Sequence, residues 1–557
     1  MHFLKKLRSP SRSKSAGNES ISSAFSCSNS SHSSPAHSDR SIDTTRQIPR
    51  HILSKIFSYI CPHALDESYK SAEESMTEDG CMLCDMRDLA HCALVCKRWH
   101  SLAQTLLYQH VRIDAVHYCE LEIELSSKRK RRSFVDRTGK SIDAPQMRLL
   151  LFMRTVRDSS QFANMVFSVR LPYMTRESSK SELARTISVL PHLRYVDLPA
   201  GFFSDDVSSY TLKQELMANC PEIRRMTYAH GSEGSFSRIP GSGLWKSLEV
   251  LELSDLQIEE STLRLVLSSF PILQSLKLDN LQAVRDSVFM PTQSLPPFPA
   301  VKKLIICKMP QLTANGLATH LSIRQNRDAL TNLVLVQTGV LAESLHLLLS
   351  QASQLTSLTL EAVVERLFPV QDVPLLASKS VKTLHYEIAT ATSSYGMQPV
   401  SGSYYKYLLA SLTSNSLPAL RQLYVLDAHF ADSLLYSPPP RFGAQAAGYG
   451  ITQSLSLYTK GIDELEWNLT EFEPISPPSQ TSPLSQLSPS SANRASATRP
   501  VSFHAAQLST RWGGDARESV VVGNGFGGFL AVPVNEGRPK STEGCSYKRS
   551  SKYDMWR

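Results

Sequence analysis

One arrangement of apolar residues recurs along the middle of the chain and limits what it can fold into. An apolar residue is followed by two variable positions, a second apolar residue, one variable position and a third apolar residue. Copies occur at Val166/Val169/Leu171, Leu193/Val196/Leu198, Ile223/Met226/Tyr228, Leu248/Leu251/Leu253, Leu273/Leu276/Leu278, Val301/Leu304/Ile306, Leu330/Leu333/Leu335, Leu355/Leu358/Leu360 and Val381/Leu384/Tyr386. Successive copies start 27, 30, 25, 25, 28, 29, 25 and 26 residues apart. Leu420/Leu423/Val425 is a tenth, and Ile462/Leu465/Trp467 reads as an eleventh. The last two apolar positions of each copy lie two apart, so a short strand points both to one face. The stretches between have helical period: Leu263, Val266, Leu267 and Phe270 form one stripe, and Leu341, Leu345 and Leu348 another. One strand and one helix cannot bury their own apolar face, but stacked copies can. The expected fold is therefore an α/β solenoid with parallel strands inside and helices outside.

This series resembles leucine-rich repeats of the longer, helix-containing kind over residues 161–470. It departs from them in lacking Asn or Cys three residues after the last strand leucine, where Leu256, Leu281, Met309, Thr338 and Val363 stand. No side-chain ladder between turns is expected, and curvature should be irregular. The alternative is a mixed helix and strand domain with leucine-rich strands.

Ahead of the repeats, Ile48-Pro49 opens a segment in which Ile52, Leu53, Ile56, Phe57 and Ile60 form one wide apolar stripe. Proline in a first helical turn costs no hydrogen bond, so a short helix needing a partner is predicted. A second helix is expected from Leu89 to Tyr108, burying Cys92, Val95, Cys96, Trp99, Leu102, Ala103 and Leu106. Together with Leu94-Val95-Cys96-Lys97-Arg98-Trp99, these pieces resemble the F-box of fungal-type SCF ubiquitin ligase substrate receptors, at residues 46–114. The resemblance implies that Ile48, Pro49, Ile52, Leu53, Ile56, Phe57, Leu94, Val95 and Trp99 form or support contact with a Skp-type adaptor, itself joined to a cullin. The bland alternative is that both helices cap the end of the repeat array.

Between the two halves lies an insertion, residues 61–88, with eight acidic residues against Lys70 and Arg87. It carries Cys61, His63, Cys81 and Cys84. Three thiolates and an imidazole in paired clusters suit a closed tetrahedral zinc site, which would organise a loop too polar to pack alone. The competing reading makes the cysteines ordinary small apolar residues.

The rest of the 557 residues excludes several function classes. Net charge is +8, but residues 1–50 and 491–557 each contribute +5 and Lys128 to Arg132 another +5, leaving the remaining central residues net acidic. No broad nucleic-acid footprint is expected there. Nor does any apolar run approach a membrane span of about 18 residues. Ten irregularly spaced cysteines suit a reducing compartment, cytoplasmic or nuclear. The opening Met1 to Arg8 has basic residues without an apolar core and does not read as a secretory signal. The Ser-rich residues 1–45 are expected to be disordered and the Ser/Pro-rich residues 471–500 to form a linker, with a basic helical linker at 115–160 and a partly disordered strand and glycine-rich segment at 501–557. Within that last segment, Gly523 to Gly528 matches GxGxxG but lacks a following helix, so a glycine-rich hairpin covering the solenoid's open end is expected and cofactor binding is not. The basic run reads as a solvated helix face paired with Glu120, Glu122 and Glu124, or as a nuclear signal. With no nucleophile elbow, zinc-protease helix or Walker loop, the chain reads as a non-catalytic receptor for a target protein, or as a non-degradative interaction scaffold.

Overall fold

The computed structural model describes residues 47–75, 81–115, 117, 119–131, 143–369, 373–391, 400–435, 453–461, 464–473, 519–523 and 529–533. The expectations for residues 1–45, 474–500, Arg132 and 524–528 lie outside these. The described chain divides into two units, Met1–Leu420 and Arg421–Arg557.

The first unit is mixed α/β, helical at its start and then built on parallel strands. Helices α1 (Arg50–Ser58), α2 (Met82–Cys92) and α3 (Lys97–Gln109) lead into β1 (His110–Arg112). The predicted single helix over 89–108 is thus two. The Ala93, Leu94 and Val95 amides close tight turns onto Leu89, His91 and Cys92 carbonyls, and Cys96 is extended. That corner turns Val95 and Cys96 out to solvent instead of burying them. Helix α4 (Glu120–Arg131) carries the first residues of the basic run, and its Glu122 pairs with Arg148 of α5 (Ala144–Asp158).

Strand β1 pairs in parallel with β2 (Ser168–Arg170), and β2 with β3 (Tyr195–Val196). Next come β4 (Arg225–Ala229), β5 (Val250–Ser254), β6 (Ser275–Asp279), β7 (Lys303–Cys307), β8 (Asn332–Val336), β9 (Ser357–Val364) and β10 (Thr383–Thr390). From β5 onward each pairs in parallel with its predecessor, and β4 begins a sheet separate from that of β1 to β3. The register aligns Met226, Leu251, Leu276, Leu304, Leu333, Leu358 and Leu384 in one row, and Tyr228, Leu253, Leu278, Ile306, Leu335, Leu360 and Tyr386 in another. These are the template positions, and every residue of the first ten copies is buried. Helical segments such as Glu260–Ser268, Ala314–Ser322 and Leu345–Gln351 join the strands. Leu341 is not on the last of these stripes: Ala342 takes the buried place and Leu341 is exposed.

Contrary to expectation, side chains do join successive turns, as where Asn280 Nδ2 donates to Asp255 Oδ1 at 2.6 Å and Thr313 N to Asp286 Oδ1 at 2.7 Å, and the backbone adds a ladder of its own. Asp255, Asn280, Lys308 and Gln337, each just past its strand, have φ between 51° and 57°. In that left-handed conformation their amides point along the stack and donate to Asp279, Cys307, Val336 and Glu361 carbonyls at 2.8–3.0 Å. A buried apolar side chain can then follow, as Leu256, Leu281 and Met309 do.

In the second unit, β11 (Gln422–Val425) pairs in parallel with β12 (Leu455–Thr459), and β12 antiparallel with β13 (Asn468–Phe472). Of the predicted eleventh copy, Ile462 lies outside the described residues, while Leu465 to Trp467 are not in a strand and Leu465 is 96% exposed; Leu455 and Leu457 of β12 are the buried pair. The spacing of two apolar residues was matched by a loop leucine, and the true strand lies about ten residues earlier. Strands β14 (Ser519–Gly523) and β15 (Phe529–Pro533) form an antiparallel hairpin.

Candidate functional site

Helix α1 packs on α3, and their apolar stripes close one small core: Leu53, Phe57, Cys61, Ala64, Leu89, Ala93, Ala103 and Leu106 are buried. Phe57 meets Trp99 edge to face at 5.0 Å between ring centres. The Arg98 guanidinium donates to the Ile48 carbonyl, and Arg50 to Ser101 Oγ at 3.3 Å, so α3 holds the entry to α1.

This packing sorts the nine sequence-predicted docking residues into two groups. Leu53 and Phe57 are each 1% exposed and build the module, with Trp99 and Ile48 packed at the edge of its core. Ile52 is 44% exposed, Ile56 45% and Val95 63%; Leu94 and Pro49 also face solvent. Ile52, Ile56 and the exposed Tyr59 follow one another at i, i+4 and i+7, one face of α1. An apolar helix face and an apolar corner left uncovered are what a partner of complementary surface requires.

The insertion is organised by arginines, which sequence reasoning missed. Residues 66–75 lie across the first strands as a strap. Arg170 of β2, its side chain 1% exposed, donates to the carbonyls of Asp66, Ser68 and Lys70 and pairs with the Asp66 carboxylate at 3.3 Å. Its register partner Arg112 donates to the Ser75 carbonyl at 2.8 Å, Ser75 Oγ at 3.0 Å and the Ala72 carbonyl at 3.2 Å. Asp197, past β3, accepts from the Ala72 and Leu171 amides and from the Tyr195 hydroxyl, and burial raises its carboxyl above the ordinary value. Farther along, the Arg225 guanidinium of β4 donates to the Tyr69 carbonyl, and the Tyr69 hydroxyl to Glu249 at 2.9 Å. Both faces of β1 and β2 are consequently buried, whereas β4, β5, β6 and β8 alternate buried with half-buried.

The four predicted metal ligands fall into separate groups. Cys61 and His63 come together with Asp85; Cys81 and Cys84 come together with Cys119, which was not among the predicted ligands. Burial pushes the Cys61 thiol up to about 11. Burial, reinforced by the Arg112 charge, holds His63 below its ordinary value. The signal that could have found the second group is His117-Tyr118-Cys119, a further His/Cys pair just past β1.

With this geometry in place, comparison with known families is informative: residues 45–114 match the F-box-like family model, so the helical module is an F-box-like domain. Comparison with curated proteins finds no match. Among solved structures, the chain is similar to one from the crystal structure of the Rad7 and Elc1 complex in yeast, at 12% identity and a TM-score of 0.38, covering 74% of this chain and 94% of that one. Among the described residues, no helix is long and apolar enough to cross a membrane.

Proposed function

We propose that the chain is the substrate-recognition subunit of an SCF-type cullin-RING ubiquitin ligase. In this reading the F-box-like domain docks a Skp-type adaptor through Pro49, Ile52, Ile56, Leu94 and Val95, and the adaptor connects it to a cullin. Residues 161–470 are read as a leucine-rich-repeat solenoid, and the strand face opposite its buried rows holds a target protein. The chain itself supplies no catalytic residue: it contributes proximity, holding target and ubiquitin-transfer machinery together. The observation that carries the reading is the solvent-exposed apolar surface on a domain whose own core is already complete.

Affinity purification of the full chain and of a variant carrying Ile52→Ala, Ile56→Ala and Val95→Ala tests it. Truncating anchors at the centre of an interface costs about 2 kcal/mol each, so adaptor and cullin should be recovered with the parent and lost from the variant. Equal recovery from both, or from neither, overturns the proposal. A target stabilised in cells by the same substitutions separates a receptor from a non-degradative scaffold.

A further inference from the structure

Cys81 is extended and forms the N-cap of α2, and Cys84 stands in the first turn of that helix. After β1 the chain returns toward α2, with α4 packing on it, and brings Cys119 with it. The Sγ atoms of Cys81, Cys84 and Cys119 all lie within 4.8 Å of one another, and His117 Nδ1 is 3.5 Å from Sγ of Cys81. All four side chains are partly buried, and the three cysteines are free thiols. A tetrahedral zinc ion with Zn–S of about 2.3 Å and Zn–N of about 2.0 Å has ligand edges of roughly 3.8 Å between sulfurs and 3.6 Å from sulfur to nitrogen. The three sulfurs, and His117 with Cys81, are therefore near their bound spacing already, and His117 joins the group through its approach to Cys81.

We propose that Cys81, Cys84, His117 and Cys119 form a structural zinc site. Binding replaces three thiol protons, released to solvent, by one Zn²⁺, leaving a centre of net charge −1 beside the free amides of the α2 N-terminus, which favour negative charge. The ligands come from a Cys-x-x-Cys pair and a His-x-Cys pair separated by the whole of α3 and β1. The ion thus pins the segment between β1 and α4 onto α2 and braces the module against the repeats. The Cys61, His63 and Asp85 group, with one sulfur, is a poorer match to zinc's preference for thiolates.

The test is metal analysis of the purified full chain, with zinc released by a mercurial and measured by mass spectrometry and a chromophoric chelator. About one zinc per chain is expected, lost in Cys84→Ser and in Cys119→Ser but retained in the double variant Cys61→Ser plus His63→Ala. Should the ligand variants fold poorly, the cobalt-substituted parent is the second measurement: it should give a thiolate-to-cobalt charge-transfer band and the visible bands of a tetrahedral site. No bound zinc after titration with zinc chloride, a disulfide among Cys81, Cys84 and Cys119 in protein made under reducing conditions, or zinc lost only from the Cys61/His63 variant would each overturn the assignment. None of these outcomes depends on whether the module binds an adaptor.

Discussion

Neighbouring residues in α1 have opposite tasks. Leu53→Ala removes buried atoms and should destabilise the chain by about 2–5 kcal/mol, whereas Ile52→Ala should leave urea unfolding within about 1 kcal/mol of the parent while weakening adaptor capture. Both lie on one apolar stripe, which is why the sequence alone ranks them equally; a helix buried on one side and docked on the other needs the whole stripe. Polar burial was less legible still. Nothing in the sequence around Arg170 marks it as buried, because its partners are backbone carbonyls a hundred residues earlier. Arg170→Leu leaves the Asp66 carboxylate and three carbonyls short of a donor and should cost roughly 3–5 kcal/mol in unfolding experiments. His320 illustrates the same blindness: it sits between Phe289 and Phe298, and burial lowers it from 6.5 to about 4. Because the unfolded chain takes up the proton first, stability is fully present above about pH 6.5 and is lost as pH falls toward about 4, by at most roughly 3 kcal/mol. His320→Gln should flatten that part of the pH dependence of the melting temperature.

At the level of elements, β4 to β10 were legible because each presents two apolar residues two apart at a regular interval, and the hydrogen-bonded register reproduces those rows; the spacing by itself misled at Leu465, which lies in a loop. Turns were not, since the ladder that joins them uses backbone amides of residues as different as Asp255 and Lys308. The corner between α2 and α3 was missed for a related reason: Leu94 and Val95 keep helical spacing although the chain turns there. Close approach between elements adds a sharper test. A Cβ on Gly339 would stand 2.3 Å from the Pro310 carbonyl oxygen and 2.8 Å from that of Leu312, both rigid backbone of the preceding turn. Gly339→Ala should therefore cost about 1–3 kcal/mol, seen as a lower thermal midpoint with the F-box helices unchanged in sequence and environment.

In the first unit as a whole, the strap divides the half-exposed face of the strands in two. Over β1 to β4 that face is engaged by residues 66–75; from β5 to β10 it carries a mixed row of Glu252, Lys277, Ile305, Val334, Thr359 and His385, none of them fully buried. Ile305→Ala with Val334→Ala should leave stability within about 1 kcal/mol and adaptor binding intact while reducing recovery of the target protein, a separation that pull-downs with both partners would read directly. The arginine-held strap also acts as a ruler. Six strands at about 4.8 Å leave a ledge roughly 24 Å across, the length of about four turns of helix, so under the proposed receptor role a target element longer than that must either run past β10 or compete with the chain's own residues 66–75.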